Sequence, residues 1–481
     1  MLRVKSLLAA FALSSILLAQ VPFTQGNLVV VRVGTGVAAL TSAAQATFLD
    51  EYTTAGVLVQ TVAMPTALSG SNLACTNAGT ATSEGSLNIS ADSRFFTLAG
   101  YSAAPGTLAI AGTTSVAVPR VIARVGSDGV INTSTSINNV FSAGTMRSAV
   151  TDNGNQFFAC GSNSGVQLAT LGGTTSAAAS SALPTNLRCL GIYQSQLYCS
   201  SASGTYLGVS SVGVGLPTTA QPITILPGFP TTTGPSSYDF FFADATTCYV
   251  ADDRVSTSGG GIQKWTFLAG TWTLAYTLAP LATSTRYLSG TVIGGVVTLY
   301  ATSTVATGNA ILSVVDAGAG SPFTTVATTL ANTALRGIRV LAARAAVSFS
   351  GTGSPTTVGI PTVGTTGGLP YLGNSAFTLT AGNMPAFNIG FMAIGLGLVQ
   401  SVGIPLPGAP ASFNLYVNPI ANTVLLITDA LGNATLPLGL PSASAMAGLP
   451  LAVQVISYDG LMLDPLPLGA SIAMQILLGQ W

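Results

Sequence analysis

Short runs of β-branched and aromatic residues, separated by Gly, Asp and Ser, dominate the pattern of apolar and polar positions. The clearest example lies between Tyr238 and Leu278, where four runs predict four strands: Asp239–Ala243, Cys248–Ala251, Ile262–Phe267 and Trp272–Leu278. Turn-forming residues separate these runs, as in a meander of consecutive antiparallel strands. Four strands in about 40 residues match the size of one propeller blade.

The same unit recurs along the chain. Each copy begins at a charged residue, continues as an apolar strand, turns and returns as a second apolar strand. The six charged residues that begin these inner strands are Glu84, Arg147, Arg188, Asp239, Arg286 and Arg336. Their spacings of about 40 to 63 residues suit four-stranded blades with loops of varying length. The pattern predicts a β-propeller of six blades, or of seven if Ala345–Ser350 begins a further blade.

The first and last units are incomplete in opposite ways. Three N-terminal runs, Leu28–Val33, Thr47–Tyr52 and Val57–Ala63, lack an inner strand, whereas the run after Arg336 lacks outer strands. We expect the C-terminal inner strand to join the three N-terminal strands. This pairing would close the ring and remove sheet edges that invite aggregation.

The composition changes near residue 345. We assign residues 21–344 to the propeller, 345–370 to a Gly/Pro/Thr-rich connector and 371–481 to a β-sandwich of short strands. This last segment contains no Lys or Arg, and its only charged residues are Asp429, Asp459 and Asp464. So uncharged a surface is unusual for a free soluble domain and predicts a surface that packs on a partner. Abundant β-branched residues and Gly, with few of the usual helix formers, favour an all-β chain throughout.

The N-terminus has the pattern of a secretory signal peptide over residues 1–20. Arg3 and Lys5 precede the apolar run Leu7–Leu18, and a small-residue exit follows. The sequence therefore predicts a secreted or cell-surface protein, with no later apolar run long enough to span a bilayer. Without the two signal-peptide cations, twelve basic residues face fourteen acidic ones. Nucleic-acid binding, which needs a basic face, is not expected.

Two of the five cysteines suggest a cross-link. Cys189 and Cys199 lie symmetrically about Gln194, as cross-strand partners in a hairpin would, so a disulfide between them is a candidate in an oxidising compartment. The alternative is that both are small buried hydrophobes. The remaining cysteines, Cys75, Cys160 and Cys248, are predicted to lie in the core.

Two stretches resemble known families. The C-terminal segments PYLGNSAFTLTAGNMPAFNIGFMAIGL, FNLYVNP, DALGNATLPLGLPSASAMAGLPLAVQ and LDP, within roughly the last 110 residues, resemble a C-terminal domain repeated across secreted proteins of planctomycetes and similar bacteria. The propeller half, with NLVVVRVG, FLDEYTTAG, TATSEGSLNISADSRFFTLAGY and YVADDR…GGIQKWTF, resembles an uncharacterised family of exported bacterial propeller-like proteins. These resemblances imply export but transfer no catalytic residue. Members often carry paired cysteines in the C-terminal domain, and this chain has none there.

The chain contains no histidine, which excludes whole classes of chemistry. Ser-His-Asp and Cys-His catalytic arrangements cannot be built, and metal sites that depend on His cannot form. We predict no catalytic residue, no metal site and no cofactor. The sequence Asp252-Asp253-Arg254 could supply carboxylates to calcium, but two adjacent Asp fall well short of six to eight oxygens. A turn with a local Asp–Arg pair is favoured instead.

The remaining candidate site is the set of charged residues that begin the inner strands. In a propeller these positions surround one mouth of the central channel, so the six would form a ring of charge there. The interpretation that the sequence favours is structural: Glu84 and Asp239 pair with neighbouring Arg side chains and tie the blades together. Two functional alternatives stay open. Because Arg forks match carboxylates, the ring could bind an anionic or carboxylate-bearing ligand, or Glu84 or Asp239 could act as an acid/base beside Arg.

The sequence favours an exported, non-enzymatic protein with a binding or structural role. The propeller would present a face to an extracellular carbohydrate or carboxylate ligand. The C-terminal domain would attach to a cell-envelope or matrix component, or to another subunit, or would serve only as a sorting tag. The alternative is an extracellular polymer-degrading enzyme, a lyase or a carboxylate-dependent glycosidase, whose two carboxylates would have to lie within about 5 to 10 Å of each other.

Overall fold

A computed structural model describes residues 21–91, 93–181, 183–280, 283–293, 296–341, 345–441, 446 and 448–479. The predicted signal peptide lies outside these described residues.

Up to residue 341 the described chain is built almost entirely of short strands, with two 3-10 helices at Ile110–Gly112 and Ser256–Ser258. In chain order the strands are β1 (Leu28–Val33), β2 (Ala44–Gln45), β3 (Thr47–Tyr52), β4 (Leu58–Ala63), β5 (Asn77–Ala78), β6 (Leu87–Ile89), β7 (Phe95–Tyr101), β8 (Arg120–Gly126), β9 (Ile131–Ile137), β10 (Met146–Val150), β11 (Gln156–Gly161), β12 (Val166–Thr170), β13 (Ala177–Ala178), β14 (Leu190–Tyr193), β15 (Gln196–Ser200), β16 (Val209–Val212), β17 (Ile223–Ile225), β18 (Ser237–Asp244), β19 (Thr247–Asp252), β20 (Gly261–Leu268), β21 (Thr271–Leu278), β22 (Thr285–Ile293), β23 (Val296–Ser303), β24 (Ala310–Val315), β25 (Phe323–Thr328) and β26 (Ala334–Val340).

These strands form six four-stranded antiparallel sheets, which are the blades of a propeller. Blade I has the strand order β26-β1-β3-β4, and blades II to VI are the meanders β6–β9, β10–β13, β14–β17, β18–β21 and β22–β25. The first strand of each blade contacts the first strand of the next, from β26 through β6, β10, β14, β18 and β22 back to β26. The prediction of a six-bladed propeller is therefore confirmed.

Blade I closes the ring in the predicted way. The C-terminal strand β26 pairs antiparallel with β1, with Leu28 opposite Val340 and Val33 opposite Ala334. The innermost strand of this blade therefore comes from the end of the propeller and its other three strands from the beginning.

Blade V shows why the sequence folds into meanders. Its four strands match the four predicted runs with small differences at the ends. A two-residue turn, Ala269-Gly270, joins β20 to β21, and both residues have positive φ. Turns of this kind match the twist of the flanking strands. Trp265 and Trp272 are buried with Phe229 and Val209 between blades IV and V, where they pack the two blades together.

The chain after residue 345 forms two larger sheets. Its strands are β27 (Ala346–Ser350), β28 (Thr362–Thr366), β29 (Thr378–Gly382), β30 (Ile389–Leu396), β31 (Ile404–Pro405), β32 (Asn414–Leu415), β33 (Asn422–Ile427), β34 (Ala434–Pro437), β35 (Pro450–Tyr458), β36 (Leu468–Ala470) and β37 (Ala473–Leu477). One sheet has the order β27-β37-β35-β30-β33 with β36 beside β35, and the other has the order β28-β29-β34. Leu379 of the smaller sheet and Met392, Val453 and Ile476 of the larger one share a single buried cluster, so the two sheets pack face to face.

The segment that the sequence predicts as a connector, residues 345–370, supplies the strands β27 and β28 to these two sheets. β27 pairs with β37 along its whole length, so Ala345–Ser350 does not begin a seventh blade. Both strands lie at sheet edges, where burial is low, and four of the five residues of β27 are exposed. The sequence of this segment, rich in Gly, Pro and Thr, therefore did not predict them.

Candidate functional site

A polar cavity of about 160 Å³ opens at the mouth of the channel where the inner strands begin. Arg147 and Arg286 reach it from the second residues of β10 and β22, and Arg188 reaches it from two residues before β14. Three of the six predicted ring residues therefore do come together at one place. We call this cavity the arginine mouth.

Asp253 is the carboxylate of the arginine mouth, and the sequence analysis did not place it there. Its Oδ1 lies 3.4 Å from Nη1 of Arg188, and its Oδ2 lies 3.2 Å from Nε of Arg286. One aspartate thus serves two arginines from different blades. Three arginines and one aspartate line the cavity, which leaves an excess of positive charge.

Tyr238 forms the aromatic wall of the arginine mouth. The guanidinium carbon of Arg188 lies 4.6 Å from the centre of its ring, and that of Arg286 lies 5.5 Å away. Cation–π contacts of this kind fix the planes of both guanidinium groups. Burial raises the pKa of Tyr238, so the ring remains a neutral surface.

Arg147 is held without any carboxylate. Its Nη1 donates to Oδ1 of Asn186 at 2.7 Å and to the carbonyl oxygen of Leu187 at 2.8 Å, and its Nε donates to Oγ1 of Thr145 at 3.1 Å. These neutral acceptors orient the guanidinium but leave its full charge beside the cavity.

Several N–H donors of the arginine mouth have no acceptor among the described residues. They are Nη2 of Arg147, Nε and Nη2 of Arg188, and both Nη atoms of Arg286. Arg donors in a fixed fork bind carboxylate and phosphate oxygens with defined geometry. The arginine mouth therefore has the chemistry of an anion site.

Glu84 and Arg336 lie behind this cavity and do not line it. Glu84 is fully buried, and its carboxylate accepts from Oη of Tyr101 at 2.5 Å and from the backbone N–H of Ala78 at 2.9 Å. Burial raises the pKa of Glu84, while Arg336 and the Tyr101 hydroxyl oppose that rise. Arg336 donates to the carbonyl oxygens of Ala78 and Gly79 at 2.7 and 2.9 Å. Arg336 therefore ties β26 to the segment before β6, and Glu84 ties that segment to β7 through Tyr101.

Asp239 also lies away from the arginine mouth. It is fully buried in the channel, where both of its oxygens accept from Arg339, at 2.7 and 3.1 Å. The backbone N–H groups of Phe240 and Leu288 complete its hydrogen bonds, at 2.9 and 3.1 Å. The register of β18 shifts between Ser237 and Phe240, so the sequence position of Asp239 did not reveal which way its side chain points.

Cys189 and Cys199 are free and buried in the structure, which agrees with the alternative of two small buried residues and not with the candidate disulfide. The hairpin turns on two residues, Gln194 and Ser195, both with positive φ, so Leu190 rather than Cys189 stands opposite Cys199. A shift of one residue sends a side chain to the other face of a sheet. The two thiols accordingly lie in different buried clusters. Cys75, Cys160 and Cys248 are buried, as predicted.

The neighbouring Asp252-Asp253-Arg254 turn does contain the local pair that the sequence favoured. Asp252 is fully buried and lies 2.5 Å from Nη2 of Arg254. Within the described part of the chain, no group of three or more His, Cys, Asp and Glu side chains could hold a metal ion.

No helix among the described residues has the length and apolar character needed to cross a membrane.

The sequence matches no protein-family model and no curated protein. Among solved structures, the chain is similar to a chain of the nidogen/laminin complex, at 15% identity and a TM-score of 0.39, over 65% of this chain and 97% of that one. It is also similar to YCF48 bound to D1 peptide, at 10% identity and a TM-score of 0.33, over 63% and 84% of the two chains. A third similarity is to the propeller domain of Myceliophteria thermophila Cps50 (Swd1), at 9% identity and a TM-score of 0.29, over 49% and 84%. The fold assignment rests on the strand pairing itself.

Proposed function

We propose that this protein is an exported, non-enzymatic propeller protein that binds a small anionic group at the arginine mouth. The observation that carries the proposal is that guanidinium donors of Arg147, Arg188 and Arg286 without an acceptor among the described residues line one cavity, where Arg188 and Arg286 share a single aspartate. The volume of about 160 Å³ suits a single carboxylate group, either a free small acid or one residue of a longer acidic ligand.

The arrangement gives less support to the enzymatic alternative. Acid/base catalysis with two carboxylates would need both of them at one accessible place. Glu84 and Asp239 are fully buried and bonded to Tyr101 and Arg339, and neither lines the arginine mouth. Asp253, the one carboxylate among the described residues that line the arginine mouth, is already paired with two arginines.

The C-terminal sheets support a role in attachment to an envelope or matrix component. Phe387, Ile427 and Leu431 are 78%, 71% and 81% exposed, in a segment that contains no Lys, Arg or Glu. The exposed Asp429 is the one charged residue between Ile427 and Leu431, and exposed apolar groups on a surface with so little charge favour contact with another weakly charged surface.

The test of the anion site is calorimetric titration of the full chain with galacturonate, succinate and inorganic phosphate. We expect the double variant Arg147→Ala/Arg188→Ala to lose binding, because it removes two of the three guanidinium groups and leaves Asp253 paired with Arg286. We also expect the wild-type affinity to fall as the salt concentration rises, since the site is solvent-accessible.

The chain offers a matched control. Arg94 and Arg124 lie 5.2 and 4.6 Å from the ring of Phe95, which repeats the arrangement of two arginines over one aromatic ring away from the cavity. The variant Arg94→Ala/Arg124→Ala should keep anion binding. If the wild type binds none of the three anions, and Arg147→Ala/Arg188→Ala only unfolds more easily, the arginine mouth is a structural link between blades.

A further inference from the structure

A second and larger cavity lies at the opposite mouth of the channel, where the inner strands end. Its volume is about 900 Å³, and the ends of all six inner strands contribute to its lining. Ligand sites are commonly concave spaces of this size, with aromatic and apolar walls and a few polar groups. Nothing in the anion-binding role of the arginine mouth accounts for this cavity.

The described lining of the larger cavity carries no unpaired charge. Arg339 is the only charged residue among its described lining residues. Its Nη atoms already donate to both oxygens of Asp239 and, at 2.7 Å, to Oδ1 of Asn88. A charged ligand would find no free counter-charge here, which distinguishes this cavity from the arginine mouth.

One wall consists of hydroxyl groups on blade VI. In the ladder of β22 and β23, Ser289 stands opposite Tyr300 and Thr291 stands opposite Thr298. Residues two apart on a strand share a face, so all four hydroxyls lie on one face of the blade. The Ser289 hydroxyl accepts from the backbone N–H of Val340 at 3.0 Å. The hydroxyls of Thr291, Thr298 and Tyr300 have no hydrogen-bond partner among the described residues.

Aromatic residues also line the cavity, on the side of blades IV and V. Phe241, Phe242 and Tyr193 are half-buried lining residues, with Phe242 against blade IV and Phe241 against blade VI. Tyr193 and Phe242 stack with their centres 4.9 Å apart. Phe241 packs directly against the backbone of Gly290, where a Cβ would lie 2.6 Å from the ring, on the face of blade VI that is opposite to the four hydroxyls. The rings are therefore fixed in place before any ligand arrives.

We propose that this cavity is a binding site for a neutral oligosaccharide. Sugar rings present C–H faces that pack on aromatic rings, and their hydroxyls both donate and accept, as the free hydroxyls of Thr291, Thr298 and Tyr300 do. A purely apolar ligand would bury those hydroxyls without partners, at a cost in free energy. An acidic sugar would meet an arginine that Asp239 and Asn88 already occupy.

The test is calorimetric titration of the full chain with neutral tetrasaccharides of glucose, xylose, mannose and N-acetylglucosamine. We expect at least one of them to bind. The double variant Thr291→Val/Thr298→Val removes two hydroxyls without changing side-chain shape and should weaken that binding about tenfold or more. Tyr300→Phe, which removes a single hydroxyl, should weaken it by a smaller factor. If Thr291→Val/Thr298→Val does not fold, Tyr300→Phe still tests whether the hydroxyls of this wall bind the sugar.

The matched control lies on the same blade. Thr324 and Thr325 are exposed on the outermost strand, β25, so Thr324→Val/Thr325→Val should leave sugar binding unchanged. Arg147→Ala/Arg188→Ala should also leave it unchanged, which separates this site from the arginine mouth. The proposal is overturned if no neutral tetrasaccharide binds, or if the folded hydroxyl variants bind it as tightly as the wild type.

Discussion

Arg339 and Asp239 form a bidentate ion pair inside the propeller channel, although they lie a hundred residues apart in the sequence. Nη1 of Arg339 lies 2.7 Å from Oδ2 of Asp239, and Nη2 lies 3.1 Å from Oδ1. The arginine belongs to blade I and the aspartate to blade V, and Arg339 also donates to the carbonyl oxygen of Leu288 in blade VI. The pair therefore joins three of the six blades at the axis.

We expect Asp239→Asn to destabilise the propeller by about 3 to 5 kcal/mol, because it leaves a buried guanidinium without its carboxylate. The double variant Asp239→Leu/Arg339→Leu should be less destabilised than either single leucine variant, since it leaves no unpaired charge behind. Chemical unfolding in urea measures both effects. Single variants that unfold within about 1 kcal/mol of the wild type would show that the pair does not hold the blades together.

Asp316 makes the stability of the propeller depend on pH in the acidic range. Burial alone would raise the pKa of its carboxyl, but hydrogen bonds from Lys264, Tyr249 and Tyr276 outweigh burial and lower the pKa from 3.8 to about 2. A carboxyl whose pKa is lower in the folded state stabilises the fold above its unfolded pKa and loses that contribution as the pH falls towards the folded value.

We therefore expect the wild type to lose about 1 kcal/mol of unfolding free energy through this group between about pH 4 and pH 2, a modest value because Lys264 is partly exposed to solvent. Asp316→Asn should be less stable than the wild type at pH 6, and the difference should shrink as the pH falls to 2. Urea unfolding across this pH range measures the difference. A gap that stays constant with pH would contradict the assigned role of Asp316.

All five cysteines should be unreactive in the native protein. Each is free and buried, and burial raises the pKa of Cys75 and Cys160 to about 12. We expect less than about one thiol per chain to react with a thiol reagent at pH 8 in native buffer. All five should react after unfolding without a reductant. Fewer than five after unfolding would reveal a disulfide, and its position would show whether Cys189 and Cys199 can pair after all.

A substitution in the turn between β20 and β21 should stabilise the propeller. Ala269 has a φ of 51° and precedes Gly270, and asparagine tolerates this backbone conformation better than alanine. We expect Ala269→Asn to raise the unfolding free energy by about 0.5 to 1 kcal/mol. Ala269→Val should lower it, since a β-branched side chain disfavours positive φ. Equal stability of the two variants would argue that the turn adopts another conformation.

The blade pattern could be predicted because each strand carries its own local signal. In blade V, runs of aromatic and β-branched residues end at Gly, Asp and Ser, so the strands of the structure differ little from those predicted. Where a tight turn forms without glycine, the expected strand register was wrong by one position. Gln194 and Ser195 adopt positive φ without glycine, which displaced the expected register of the hairpin and with it the cysteine pair.

The candidate site could be predicted only in part, because its residues meet through long-range contacts. The repeat placed three arginines at one mouth of the channel, yet Asp253 looked like a partner of the adjacent Arg254. Its actual partners, Arg188 and Arg286, are 65 and 33 residues away. The direction of the Asp239 side chain depends on a register shift in β18, and no residue type in that strand predicts the shift. The hydroxyl wall of the larger cavity depends on the pairing register of β22 and β23, which the sequence does not specify.

The pairing of β26 with β1 also determines how the propeller would respond to force. Leu28, at the start of β1, lies opposite Val340, at the end of β26, so the chain enters and leaves the ring at the same end of one ladder. Tension applied between Leu28 and Val340 would break the hydrogen bonds between β1 and β26 one at a time, from Leu28 towards Val33. The ring would therefore unzip at low force rather than resist in shear, so a protein held at both ends would open at blade I while the other five blades were still folded.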